Sequence, residues 1–503
     1  MIDDFFTWLT AANDTMYLYV LVGLLVAAGV VLTVWTRFVQ VRHFGTMVRH
    51  IGVSRRDAQG GISSFQAFAI GMATRIGIGN ITGVALALVL GGPGAIFWMW
   101  MVSLVGMATS FAEASLAQLY KVPAGDGTFR GGPAWYIWQG LRSRALGAAF
   151  AVLLIFSMVV AMPMVQANSI SVLVVATAPA VPTWVAGLVM ATLTGVVVLG
   201  GVRSVARTAE WLTPLMALIY IGLAAVVVVM NISAFPAFLG DIVAGAFGLR
   251  EGLAGVAGGV VAALLNGARR GLFSNEAGMG TNPNAAATAT VAHPAQQGFI
   301  QSFGVFFDTW FVCTSTAFII LSAGPTVFTP GVTGMGPDGP NTDVAGTLTT
   351  EALAAQLGGW VPWLMVVVIF FFGFSSILGA YAYAESNVVF LGGQTWLTVL
   401  CKISAVVCTF IGAVLALHKV WTLMDTAMVF ITVVNLVALL ALGRHVVALV
   451  RDYERQRAAG IERPRFTVEE AVAASGLPAG TATTVWHASE PARAGSDEAQ
   501  RPR

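Results

Sequence analysis

The chain has 503 residues, of which 57% are apolar and only 10% charged, with a formal net charge of +2. Soluble domains carry roughly 25% charged residues, so the composition excludes a soluble globular protein and points to a polytopic membrane protein. No basic stretch suits a nucleic acid, and none is expected as a partner.

A membrane span needs about 20 mostly apolar residues. That window finds eleven segments, at roughly 16–36, 63–90, 95–120, 148–176, 183–201, 208–230, 253–290, 298–323, 360–390, 396–417 and 420–442. The N-terminus, MIDDFFTWLTAAND, is acidic and lacks a positive start, so the first run is expected to be an uncleaved anchor. Segments 63–90 and 253–290 are long and interrupted by glycine and polar residues, while the others read as ordinary helices. Cys313, Cys401 and Cys408 fall in expected spans and read as small buried hydrophobes, with no disulfide framework. The six histidines are scattered and outline no metal site.

Positive charges in the loops set the orientation. Arg37, Arg42, Arg49, Arg55 and Arg56 follow the first segment, Lys121, Arg130, Arg142 and Arg144 the third, and Arg203 and Arg207 the fifth. The alternate loops are nearly free of positive charge, apart from Arg250 and Lys419. Residues 1–36 are therefore expected to be an outward N-terminus and a first helix, 37–62 a cytoplasmic basic loop, and 231–252 an external linker. The tail 443–503 is expected to be cytoplasmic and mostly disordered beyond about residue 465, because it is rich in Ala, Pro, Glu and Arg.

The two interrupted segments lie five spans apart. An odd spacing reverses membrane orientation, so the second block of five enters upside down relative to the first. Paired interruptions in two such halves mark inverted-repeat transporters with a site at the midplane. The expected fold is all-α, with about 11 transmembrane helices in a 5+5 inverted repeat. Residues 63–230 form one half, 253–442 the other, and the first helix stands outside.

A helix broken inside a membrane frees N–H and C=O groups that cost several kcal/mol each in lipid, which is tolerable only where they line a protein cavity. In "RIGIGNITG", residues 75–83, Gly77 and Gly79 let the backbone turn and a ligand approach. The half-helix starting near Gly79 and Asn80 presents N–H groups suited to a carboxylate. The half-helix ending near Ile76 presents carbonyls suited to a cation or an ammonium. An amino acid zwitterion with Na⁺ matches that layout. An unbroken helix with packing glycines is the alternative.

The second interruption, "NGARRGLFSNEAGMGTNPNAAATA" from Asn266 to Ala289, carries Arg269, Arg270, Asn275 and Glu276 among glycines. It reads as a second unwound linker, or as a complete span followed by ordinary cytoplasmic arginines. In "FFGFSSILGAYAYAES", Ser375 and Ser376 offer two hydroxyls for an all-oxygen cation shell, or back-bond to their own helix. Gln166, a mid-span amide behind Pro163, either donates to a carboxylate or bridges helices. Asp308 needs an internal partner in either reading, while Glu113 and Asp425 lie nearer the span ends.

"IGIGNITGVALALVLGGPGAIFWMW", "GGPAWYIW", "RRGLFSNEAGMGTNPNAAATA", "HPAQQG" and "FFDTWFVCTSTAFIIL" together resemble the alanine or glycine:cation symporter family of prokaryotes, over about residues 60–445. The resemblance implies the leucine-transporter fold, with its first and sixth core helices broken. It implies uptake of a small neutral amino acid with Na⁺, or occasionally H⁺, across the prokaryotic inner membrane. Na⁺ is the implied coupling ion and no organic cofactor is implied. The implied Na⁺ shell is Ala73, Ile76, Ser375 and Ser376, and the implied substrate contacts are Gly77, Gly79, Asn80, Gln166, Phe273 and Asn275, with Ser376 and Ala380 alongside. The family pattern F-S-T-I-x-G-W-S-Y reads Phe374-Ser375-Ser376-Ile377-Leu378-Gly379-Ala380-Tyr381 in this chain. With Ala380 in place of the Trp, either Tyr381, Tyr383 or Phe273 refills the gap and alanine or glycine stays the substrate, or the pocket is larger; the larger pocket, for neutral amino acids bulkier than alanine, is expected. The transporter is expected to be a monomer in membrane lipid, with the C-terminus in the cytoplasm.

A channel would show a continuous polar stripe and a membrane enzyme would show clustered catalytic side chains. The spans show isolated polar points instead, so no enzymatic activity is expected. A transporter-like sensor without net transport stays open at this point.

Overall fold

The computed structural model describes residues 2–53, 62–124, 128–200, 202–249, 256–336 and 339–487. Apart from two short antiparallel ribbons, Val122–Pro123 with Phe129–Arg130 and Met335–Gly336 with Gly339–Pro340, its regular structure is helical. Seven helices among the described residues are long and apolar enough to cross a membrane, or nine if each bent pair counts as one span. The outer faces match that medium. On the helix Thr395–Val414, Trp396, Val399, Leu400, Ile403, Val407, Ile411 and Val414 are all exposed. Their three- and four-residue spacing makes one apolar stripe, which faces lipid without cost and would not face water.

The helix Gly94–Leu119 is the most enclosed of the seven spans. Close approach of helices around the core depends on small residues. At Gly412 a Cβ would lie 2.3 Å from the Met164 Cα, so only glycine lets the helices Thr395–Val414 and Met162–Thr177 touch there.

The first interrupted segment is two helices, Ser64–Arg75 and Ile78–Gly91, bent by 54° at the break. Ser63 starts the inner half with a reciprocal cap, accepting from the Gln66 amide while the Gln66 side chain accepts from its own. The second interrupted segment differs from expectation. Its helix, Val256–Asn275, runs unbroken through Arg269 and Arg270, and the chain leaves helical geometry only after Asn275. Beyond the break there is a single turn, Pro283–Ala286, and no second half-helix of spanning length. The Ala-rich stretch leaves helical geometry there, and after a short link Pro294 opens the next helix.

Other boundaries shift too. The first helix starts at the N-terminal end and runs through Asp3–Trp35, well before residue 16. The 37–62 loop holds the helices Val39–Arg42 and Phe44–Val53, while 54–61 lie outside the described residues. The 231–252 linker holds the helix Phe235–Ala246, bent by 76° from the preceding one. The tail is the largest correction. Instead of disorder from about 465, residues 466–487 are folded, with a short helix Val468–Ala474 after the helix Gly443–Ala458 and a buried Trp486, while the rest of that expectation, 488–503, lies outside the described residues.

Candidate functional site

The inner half-helix ends at Arg75. Ile76 leaves helical geometry (φ −79°, ψ 84°), Gly77 is extended, and one tight turn, Ile78–Asn80, precedes the outer half. The freed backbone groups find specific partners. The Gly77 N–H donates to Asn80 Oδ1 at 2.9 Å, and the Ile78 N–H to Gln166 Oε1 at 3.4 Å. Gln166 therefore reaches the break from a different helix, Met162–Thr177, which follows a π-helical stretch at Ser157–Ala161. Asn80 and Gln166 are both buried.

The two serines sit against the end of the inner half-helix. The Oγ atoms of Ser375 and Ser376 lie 3.3 and 3.1 Å from the Ala73 carbonyl, and Ser376 Oγ lies 3.5 Å from that of Thr74. Each is also 3.0 Å from the Phe372 carbonyl of its own helix, so the back-bonding geometry and the cross-helix geometry coexist. At Gly77 a Cβ would lie 2.4 Å from Ser376 Oγ, so the glycine is what lets this hydroxyl reach the break. The structure thus brings Ala73, Gly77, Ser375 and Ser376 together, with Ile76 at the helix end. Ala380, one turn beyond Ser376, is wholly buried.

Phe273 closes another side. A Cβ on Gly79 would lie 2.8 Å from Phe273 Cδ1. Phe273 packs edge-on against Trp421 at 4.7 Å, and the Arg270 guanidinium covers Trp421 at 4.3 Å. Arg270 is in turn held by both oxygens of Asp425 at 2.7 Å. Arg270, Trp421 and Asp425 line a cavity of about 700 Å³ that also includes Thr10 and Asp14 of the first helix. Asp14 pairs there with Arg269 at 2.6 Å.

Asn275, like Asn80, is hydrogen-bonded at both ends of its side chain. Its Oδ1 accepts from the Ala277 N–H at 3.0 Å and its Nδ2 donates to Thr309 Oγ1 at 3.3 Å, so both ends serve the second break. Around it, the Gly280 N–H donates to Glu113 Oε1 at 2.9 Å, and Asn435 Nδ2 donates to the Gly278 carbonyl at 2.8 Å. Glu276 holds positive φ (57°) and accepts from Thr281 Oγ1 at 2.7 Å.

Asp308 joins the two breaks. Its Oδ1 accepts from Asn80 Nδ2 at 2.5 Å, and its Oδ2 accepts from Ser274 Oγ at 2.8 Å and from Thr309 Oγ1 at 3.2 Å. Sequence reasoning noted Asp308, Glu113 and Asp425 without giving them partners. The usable signal was a carboxylate inside an apolar run, which is rarely left unpaired.

Residues 3–468 match the model of the sodium:alanine symporter family. The chain is 42% identical over 451 residues to the probable sodium/glutamine symporter GlnT of Bacillus subtilis, covering 89% of this chain and 91% of that one. It is 43% identical to the amino-acid carrier protein AlsT of the same organism, covering 88% and 90%. It is 35% identical to the sodium/alanine symporter AgcS of Methanococcus maripaludis, covering 90% and 98%. Among solved structures, a mutant manganese transporter of Eremococcus coleocola aligns over 81% of this chain and 83% of that one, with 14% identity and a TM-score of 0.48. This multi-pass membrane chain belongs to the sodium:alanine symporter family.

Proposed function

We propose that the chain is a secondary active symporter that takes up a neutral amino acid with Na⁺ by alternating access. The observation that carries this is the first break, where carbonyls of one half-helix meet the serine hydroxyls while N–H groups and amide side chains gather on the other half. Gly77, Gly79 and Asn80 would receive the substrate carboxylate, with Gln166 beside them and Phe273 as a wall. Asn275 serves the substrate through the second break, by fixing the end of the helix that carries Phe273.

The donor set suits Na⁺, a hard cation that prefers oxygen. Ala73 and Ile76 would supply carbonyls, and Ser375 and Ser376 hydroxyls. The Phe372 carbonyl, 3.0 Å from each hydroxyl oxygen, supports this shell because it can take both protons and leave lone pairs facing the ion.

The substrate is proposed to be bulkier than alanine, up to the size of glutamine. Ala380 stands where the resembling pattern has Trp, and a relative at 42% identity is named a sodium/glutamine symporter. The leucine-transporter-like 5+5 repeat of eleven spans, a monomer, and an inner-membrane orientation with the N-terminus outside and the C-terminus in the cytoplasm complete the proposal. A second reading, proton coupling, draws on a 36% identical relative named as a putative sodium/proton-dependent alanine carrier.

Purified protein in liposomes decides among these. Saturable uptake of labelled alanine or glutamine that requires an inward Na⁺ gradient is expected. Uptake that follows the pH gradient and ignores Na⁺ selects the proton reading. Saturable binding without flux overturns transport.

A further inference from the structure

Residues 469–487 lie beyond those matched by the family model, yet they are docked on the rest of the chain. Five hydrogen bonds place the tail. The Phe466 N–H donates to the Ala292 carbonyl at 2.9 Å, and the Val468 N–H to the Trp486 carbonyl at 2.8 Å, which folds the tail back on itself. Trp486 Nε1 donates to the Gln118 carbonyl at 2.8 Å, and Thr484 Oγ1 to the Lys121 carbonyl at 3.0 Å. Ser475 and the helix Gly443–Ala458 share Asp452, whose Oδ1 accepts from Ser475 Oγ at 2.8 Å.

The segment beneath is the link that follows the second break. Lys121 Nζ donates to the Ala289 carbonyl at 2.9 Å and lies 4.0 Å from the Phe129 ring and 4.8 Å from that of Trp486. Gln118 Nε2 also donates to the Ala289 carbonyl, at 3.0 Å. Next along the link, the Thr290 N–H donates to the Ile62 carbonyl at 2.9 Å, immediately before the Ser63 cap of the inner half-helix. The tail, the link and the root of the inner half-helix therefore form one stack.

We propose that residues 466–487 are a strap that holds the cytoplasmic side shut. The proposal rests on the orientation and alternating access proposed above. On that reading an inner path would open by movement of the half-helix Ser64–Arg75, whose root is tied to a link that the strap and Lys121 pin from the other side. Releasing the strap frees link and root to move together.

The test uses Ser64→Cys in full-length protein in liposomes, alkylated from the cytoplasmic face, against the labelling background of the native cysteines. Trp486→Ala, and separately a chain ended after Arg465, are expected to speed labelling on the order of ten-fold, the effect of losing one large buried aromatic. Unchanged labelling in both variants overturns the strap. Aggregation of both variants also overturns it, because the tail would then be part of the fold and not releasable. Faster labelling without Na⁺-driven uptake in either variant or parent keeps the strap and removes the symport reading. Normal uptake with unchanged labelling does the reverse.

Discussion

The two breaks solve the same problem in opposite ways. At the first, the chain departs from helix for a few residues and resumes as an outer half-helix, Thr82–Gly91. Its supports come from other helices, those of Gln166 and Asp308, and Gly77 and Gly79 leave no side chain between them and Ser376 or Phe273. At the second, seven residues from Glu276 to Asn282 separate the helix from a single turn. Positive φ at Glu276, Gly278 and Gly280 curls the backbone inward, and Glu113, Asn435 and Asn275 saturate it. At the first break, the proposed ligand would compete for the Gly77 and Ile78 N–H groups now held by Asn80 and Gln166. The second is tied to other helices by Glu113 and Asn435, although Glu113 Oε2 and Glu276 Oε1 are buried there without a hydrogen-bond partner. On the symport reading proposed above, the first break would serve the ligand and the second the fold.

That contrast can be broken by substitution. The largest effect is expected from Glu113→Ala, which strands the Gly280 N–H and leaves Asn435 Nδ2, which also donates to Glu113 Oε1 at 2.5 Å, with the Gly278 carbonyl alone. A loss of about 3 kcal/mol is expected, read as a sharp drop in thermal midpoint in detergent. A normal midpoint with abolished transport would give the second break the ligand role instead. Next, Gln166→Leu is expected to weaken substrate binding by roughly ten-fold or more while the protein still elutes as a folded species. Parent-like affinity would reduce Gln166 to helix packing. Ser376→Ala should raise the Na⁺ concentration for half-maximal uptake by on the order of ten-fold, with the substrate profile kept. A shift in the profile with unchanged Na⁺ dependence would move the ion elsewhere. The smallest change is expected from Ala380→Trp, since an indole occupies on the order of 150–250 Å² of buried surface. Glutamine should stop competing with labelled alanine while alanine transport persists. Identical competition before and after would show that Ala380 is not a wall of the pocket.

Much of the first break was legible because its signal is local. Glycines, an amide and an arginine inside an apolar run are costly enough in lipid to require a reason. The second break was located only loosely. Arg269 and Arg270 look like helix breakers in a membrane, yet Asp14 and Asp425 neutralise them from helices far away in sequence. The docked tail was missed for a related reason. Its composition is that of a disordered segment, and its anchors Phe466, Leu477 and Trp486 are too widely spaced to show a period. Asp308 sits in a π-helical stretch, Phe307–Cys313, where the wider turn puts both Asp308 and Thr309 inward. A 3.6-residue period cannot anticipate that pair.

The carboxylate of Asp308 has a further consequence for how the molecule breathes. It accepts from Asn80 on one broken helix and from Ser274 on the other. Opening either break alone would leave it short of donors in a dry interior, so the two are energetically joined. They should then behave as one cooperative unit in native-state hydrogen exchange. The amides of Gly77 and Ala277, each closed by a local asparagine, are expected to exchange at matched rates that rise together in Asp308→Ala.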